Sequence, residues 1–286
     1  MKHGTAVVLA LLWLAYAGHL RRAEFVAEDA PWLSTPMAGR PLTAWTWHFT
    51  RTPEAAHALS LGLHATNGLV LGALATRMGV SGPLVAGVFL LHPLAIESVA
   101  YAASRSELLA ALGVLLAGWI AAGRWWRPAA LVGLALSLLA GLAGKHSAIV
   151  GLWLVPLMAR PPPAWARLSR ATMATAAALG LGVVIAAAPV GEAPGANIDW
   201  GAWLELQATA AIRLVSLTVV PRGQTIDYDY DLVARSWHFV SVGLLGLLTG
   251  VTLWLWPRRR VAAIGVAWML LVVLPRLIVQ TPRSYF

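Results

Sequence analysis

The chain has 286 residues, of which 59% are hydrophobic and only 12% charged, with a mean hydropathy of +0.70; an average soluble domain carries about twice that charged share. A soluble globular domain is therefore excluded, and the absence of cysteine removes disulfides, thiolate metal sites, iron–sulfur clusters and thiol nucleophiles from the chemistry. The net charge of +9 raises nucleic acid as a partner, but the placement of that charge along the chain points to a membrane and not to nucleic acid.

Long apolar runs separated by Pro, Gly and Arg predict membrane-spanning helices of about 20 residues each. They fall at 5–20, 58–76, 81–96, 108–122, 128–144, 147–158, 171–189, 239–256 and 261–280, with a weaker stretch at 204–220. The expectation is an all-α polytopic membrane protein, one transmembrane domain over residues 1–286 with about nine spans. The weaker stretch carries Arg213 in its middle, which is costly at the bilayer centre, so it reads as an interfacial or re-entrant helix on the outer side. The first run also has the look of a signal peptide, with Lys2 ahead of it and Ala15-Tyr16-Ala17 as a small-residue cleavage pattern.

Charge sets the orientation. With a cytoplasmic N-terminus, the inner segments hold Lys2, Arg77, Arg124, Arg127, Arg160, Arg167, Arg170 and Arg258–Arg260, while all 12 carboxylates fall outside. The short inner turns Arg124-Trp125-Trp126-Arg127, 159–170 and Arg258–Arg260 satisfy the positive-inside rule. Outer loops at 21–54, 97–107 and 190–236 include two long enough to be functional. No phosphate-binding loop or dinucleotide fingerprint is present to build a cytoplasmic nucleotide site. The 15 Trp residues, with Trp125, Trp126, Trp254 and Trp256 near span ends, fit interfacial anchoring.

Several polar groups fall on the outer side. Glu28-Asp29 offers a carboxylate pair just outside the membrane, suited to a general base or a cation, or simply solvated. Arg40-Pro41-Leu42 and the aromatic run Trp45-Thr46-Trp47-His48-Phe49 follow it. His92-Pro93…Glu97 closes the third span and Ser104-Arg105-Ser106-Glu107 opens the fourth. Ionisable groups at that depth are functional candidates, and equally a helix boundary in which Pro93 bends the chain and acids favour the next N-terminus. Gly144-Lys145-His146-Ser147, at an outer turn, offers cationic donors to a phosphate or a snorkelling anchor to lipid. Asp227-Tyr228-Asp229-Tyr230-Asp231 alternates acids with aromatics but lacks the Gly and Glu of a calcium loop.

In order and wording, these motifs resemble the integral-membrane C-type (GT-C) glycosyltransferases, especially the transmembrane-and-tetratricopeptide O-mannosyltransferases and their bacterial relatives. Glu28-Asp29, Arg40-Pro41-Leu42 and His64-x-x-Asn67 look like that family's acidic first loop, R-P-L segment and His/Asn helix. His92-Pro93…Glu97-Ser98-Val99, then Ser104-Arg105-Ser106-Glu107-Leu108-Leu109, is the most specific match, to H-P-x-x-x-E-x-V and G-R-[AS]-[DE]-L-L. Gly144-Lys145-His146-Ser147-Ala148-Ile149 is similar to S-K-E-x-x-[IV], and Asp227–Tyr230 to D-[YH]-D-Y. His146 stands where the family usually has Glu, Ala95 where it often has a second His, and no tetratricopeptide domain is present.

The resemblance implies transfer of a sugar, mannose in the named family, from a polyprenyl-phosphate donor to a protein or glycan acceptor on the outer face. It implies Asp29 as general base with Glu28 beside it. Arg105, Lys145, His146 and Arg40 would hold the donor phosphate, and His92 and Glu97 would orient those cations or meet the acceptor. No metal or cofactor is required, although a divalent cation is compatible, and the partners are lipid, the lipid-linked sugar and the acceptor. The expected location is a bacterial inner membrane, with the active face periplasmic or extracellular. The alternative is a non-catalytic or truncated membrane subunit of the same fold that binds a lipid or protein partner. A transporter or channel ranks below both, because few ionisable residues lie deep within the predicted spans.

Overall fold

The computed structural model describes residues 11–12, 15–16, 18, 24–25, 39–123, 127–159, 200–222 and 236–278. Among them there is no β-strand. The helices are α1 (Pro41–Trp47), α2 (Pro53–Arg77), α3 (Gly82–Leu91), α4 (Ile96–Ala100), α5 (Arg105–Ala121), α6 (Pro128–Gly144), α7 (Gly151–Met158), α8 (Trp200–Val219), α9 (Ser236–Leu255) and α10 (Arg260–Ile278). Short 3₁₀ turns at Pro93–Ala95, Ala102–Ser104 and His146–Val150 join some of them. The chain divides into two compact units, Met1–Gly151 with Met158–Ser169, and Leu152–Leu157 with Arg170–Phe286.

Among the described residues, two helices are long and apolar enough to cross a membrane, Pro53–Arg77 and Ala102–Ala121, the second including the 3₁₀ turn ahead of α5. A third crossing results if the bent pair Gly82–Leu91 and Pro93–Ala100 counts as one span. Pro128–Gly144, His146–Met158, Gly243–Leu255 and Arg260–Leu271 are shorter apolar helical stretches. The expected runs at 171–189 and most of 5–20 lie outside the described residues, as does the 223–235 part of the last outer loop.

In the first unit, α2 starts cleanly because Thr52 accepts the Ala55 N–H on its hydroxyl at 3.3 Å and Pro53 occupies the first turn, where no amide donor is needed. Glu54 in the first turn and Arg77 in the last complement the helix dipole. One face of α2 carries a buried polar stripe, His57, Ser60, His64 and Asn67, at three-four-three spacing. A polar stripe in a helix of this apolarity belongs against other helices, where it finds partners that lipid lacks. Asn67 Nδ2 donates to Leu108 O of α5 at 3.0 Å, and His64 Nε2 lies 3.2 Å from Leu90 O of α3. His57 lies 3.2 Å from Val99 O through Nδ1 and 3.1 Å from Glu24 O through Nε2.

The 81–96 run does not continue as one straight helix. Pro93 disfavours helical backbone at the residue before it, so His92 is extended (φ −68°, ψ 128°) and the two arms meet at 58°. α5 then runs between α2 and α6, and its seam with α6 is built on glycine. A Cβ on Gly113 would lie 2.5 Å from Gly141 Cα and from Ser137 O, a separation only hydrogen permits. Arg77 marks one end of this unit: its Nη1 donates to Trp119 O at 2.6 Å, and its guanidinium stacks 3.5 Å from the Trp119 ring centroid. The opposite end carries α1, the N-terminus of α5 and the C-terminus of α6.

In the second unit α8, α9 and α10 pack on one another. α8 is a continuous 20-residue helix over the stretch read from sequence as 204–220. Its Arg213 is half-buried and reaches Arg222 O at 3.4 Å. Between α9 and α10, Arg258 donates to Trp254 O at 2.8 Å and lies 4.7 Å from the Trp254 ring, while Arg260 lies 5.6 Å from that of Trp256. Exposed Trp flanked by Arg is the composition of a membrane interface.

Candidate functional site

The candidate site lies at the end of the first unit where α1, α5 and α6 meet. α1 is only seven residues long, too short to hold as a helix by itself, so its contacts decide its conformation. Thr43, Thr46 and Thr50 recur at three- and four-residue spacing and are all buried, while Trp45 and Phe49 face outward in an edge-to-face pair with centroids 4.8 Å apart. Thr43 Oγ1 donates to Gly144 O at 2.7 Å, which pins α1 to the C-terminus of α6. Thr46 Oγ1 donates to Thr43 O at 2.6 Å and Thr50 Oγ1 to Thr46 O at 3.0 Å. With their protons committed to the backbone, both hydroxyl oxygens are left as acceptors.

Arg105, on α5, is the donor they accept from. Its Nη1 donates to Thr50 Oγ1 at 2.6 Å and to Thr46 Oγ1 at 3.2 Å, and its guanidinium lies 4.2 Å from the Trp47 ring centroid. The side chain is 0% exposed. A guanidinium taken wholly out of water costs several kcal/mol. Each hydrogen bond to it returns about 1.5–3 kcal/mol, and a desolvated cation–π contact about 2 kcal/mol. Trp47 is itself locked in place, packed with Ala56 and Ala102.

Two residues further along α5, Glu107 receives both residues flanking His146. Lys145 Nζ lies 2.5 Å from Glu107 Oε1, and Ser147 Oγ donates to Oε2 at 3.1 Å. This pair is partly open to solvent, with side chains 24% and 40% exposed. Lys145 is extended (φ −160°, ψ 144°), which ends α6 and turns His146 outward at the start of the 3₁₀ turn. The exposed His146 ring lies against Gly39, whose φ of +73° suits glycine and whose Cβ, if present, would sit 2.9 Å from His146 Cε1. Arg40, next in sequence and N-cap of α1, is half-buried.

The structure thus gathers Arg40, Arg105, Lys145 and His146 from three distant stretches of sequence at one end of the first unit. The four do not stand alike: Lys145 and His146 reach the surface, whereas Arg105 is sealed beneath α1. His92 and Glu97 occupy the α3–α4 elbow that leads into α5. There His92 Nδ1 accepts the Leu94 N–H at 3.2 Å, a local cap, and Glu97 is exposed. Glu28 and Asp29 lie outside the described residues, as does Asp227–Asp231. Among the described residues no three imidazole or carboxylate groups are placed to hold a metal ion.

Reasoning from sequence missed the threonine ladder, Trp47 and the clamp made by Glu107. The 43/46/50 spacing was the available signal, but a Thr at helical spacing reads as solvated or back-bonded until its neighbour across the interface is known. No protein-family model, curated protein or solved structure matches the chain.

Proposed function

We propose that this protein is a polytopic membrane glycosyltransferase of the GT-C type that moves a sugar from a polyprenyl-phosphate donor to a protein or glycan acceptor. In this reading the chain has about nine spans and a cytoplasmic N-terminus, the 204–220 helix is interfacial or re-entrant, and the α1/α5/α6 end faces the periplasm or exterior of a bacterial inner membrane. The observation that carries it is that one end of the first unit brings together Arg40 at the head of α1 and Lys145 and His146 after α6, with Arg105 buried beneath α1. Clustered cations at the end of apolar helices suit a lipid-borne phosphate, whose chain stays in the bilayer while its charge meets donors at the rim.

In the reaction, Asp29 takes the proton of the acceptor hydroxyl, with Glu28 beside it, and the hydroxyl oxygen attacks the anomeric carbon. The bond from that carbon to the phosphate oxygen breaks, and polyprenyl phosphate leaves with the negative charge on its oxygen. Lys145, His146 and Arg40 stabilise that charge, the largest service a preorganised polar site supplies. His92 and Glu97, on the elbow, orient the site or meet the acceptor. Mannose is the sugar the resemblance implies. No metal is needed for this scheme, and a divalent cation is compatible with it.

The test is donor turnover by the full chain in lipid with labelled polyprenyl-phosphate sugars. Wild type should transfer or release the label, and Asp29→Asn should abolish this with insertion and abundance unchanged; full activity in that variant removes Asp29 as the base. A second reading, a non-catalytic subunit of the same fold that binds a lipid or protein partner, is favoured by two features. Lys145 is already matched by Glu107, and His146 replaces the acid usual in that family. That reading predicts phosphate-dependent lipid binding without turnover for any donor.

A further inference from the structure

We infer that Arg105 is a positioning residue and not a ligand of the phosphate: with Thr43, Thr46 and Thr50 it forms an internal brace that holds α1, and Arg40 at its head, at the end of α6 that leads into Lys145 and His146. This rests on the anion-binding role proposed above. Arg105 is 0% exposed, and Trp47, itself only 5% exposed, covers it together with the Thr46 and Thr50 hydroxyls. The Trp47 face of the guanidinium stays closed to a phosphate as long as Trp47 keeps its packing against Ala56 and Ala102. The same contacts make Arg105 a fastener. α1 is too short to be helical unaided, and its threonine hydroxyls bond Gly144 and the local backbone and accept from Arg105.

The geometry explains what the brace achieves. Thr43 ties α1 to Gly144, the residue before Lys145, and Gly39, at the head of α1, lies against the His146 ring. Arg40 stands between those two fastenings. Loosening the Arg105 end frees α1, and with it the register of Arg40 relative to Lys145 and His146. Any group holding a phosphate through three separate cations depends on that register.

The experiment measures binding of a long-chain polyprenyl phosphate, with the corresponding polyprenol as control, to the full chain in lipid nanodiscs. Thr46→Val/Thr50→Val removes both acceptors at nearly constant volume, and Arg105→Met removes the cation. As a brace, the two changes each weaken phosphate-dependent binding about tenfold and their combination weakens it no further, while Thr50→Ser restores wild-type affinity. Arg105→Met abolishing binding while the valine variant binds as wild type would make Arg105 a direct ligand and overturn the proposal. A second readout needs no ligand. Because the chain has no cysteine, spin labels on Arg40→Cys and His146→Cys report their separation by electron paramagnetic resonance. The distribution should be narrow in the otherwise native chain and broad with Arg105→Met or the valine pair; an unchanged distribution overturns the brace. Equal affinity of wild type for phosphate and polyprenol defeats the anion-binding role alone, and the spin-label result then stands by itself.

Discussion

Asn67 and Lys145 show how differently two polar side chains count in this fold. Asn67 is 0% exposed, and its amide joins α2 to α5 through Leu108 O. Hydrogen bonds between helices in an apolar setting are worth about 0.6 kcal/mol on average and up to about 1.7 kcal/mol. Asn67→Ala should therefore lower stability by about 1 kcal/mol, read as an earlier midpoint in detergent-induced unfolding, whereas an unchanged midpoint would show that the bond contributes nothing net. Lys145 is partly exposed and paired with Glu107. Such pairs contribute at most about 1 kcal/mol, so Lys145→Ala should leave the midpoint nearly in place. Under the function proposed here, the same variant should lose polyprenyl-phosphate binding by tenfold or more. Loss of fold instead would reassign Lys145 to structure.

Among the elements, the α5–α6 seam is one of the places in the first unit where helices meet through glycine; at the α2–α3 contact a Cβ on Gly82 would lie 2.4 Å from Gly72 O. In the α5–α6 seam Gly113 and Gly141 let two backbones touch, so the gain comes from van der Waals contact along the helices and not from side-chain burial. Gly113→Ala should destabilise by about 1–3 kcal/mol through overpacking, while Gly250→Ala on α9, which has open space around it, should not. Comparing the two by thermal unfolding in one detergent checks the reading, since similar shifts would point to helix propensity alone. The α3–α4 elbow was visible in the sequence as Pro93, because a proline constrains its predecessor whatever surrounds it. The boundaries of α6 were equally visible: Pro128 opens it after a basic turn, and Lys145 follows its last residue, Gly144. By contrast, α1 was legible only as an aromatic run. Its helicity depends on Arg105 and Gly144, about 60 and 100 residues away along the chain.

For the whole molecule, sidedness is the property most open to measurement. In the first unit Arg77 and Trp119 mark one end, and Glu107, Lys145 and His146 the other. Under the proposed topology these two ends face opposite sides of the membrane. A cysteine placed at exposed His146 should react with an impermeant maleimide from outside intact cells. One placed at exposed Arg127 should react only after permeabilisation. Both labelling from one side would break the proposed topology and, with it, the placement of the site on the outer face.

Apolar runs and the residues that interrupt them were enough to read the described residues as helical, with helices long and apolar enough to cross a membrane among them, and to place most of those helices to within a few residues. Those properties are local: apolar runs, prolines, glycines and basic turns act on the few residues around them. Which polar residues meet was decided by the tertiary structure. Arg105 and Lys145 look interchangeable as cations in the sequence, yet one is sealed under Trp47 while the other reaches water beside Glu107. Burial depends on what the rest of the chain brings to the same place, and residues far apart in sequence carry no local record of that meeting.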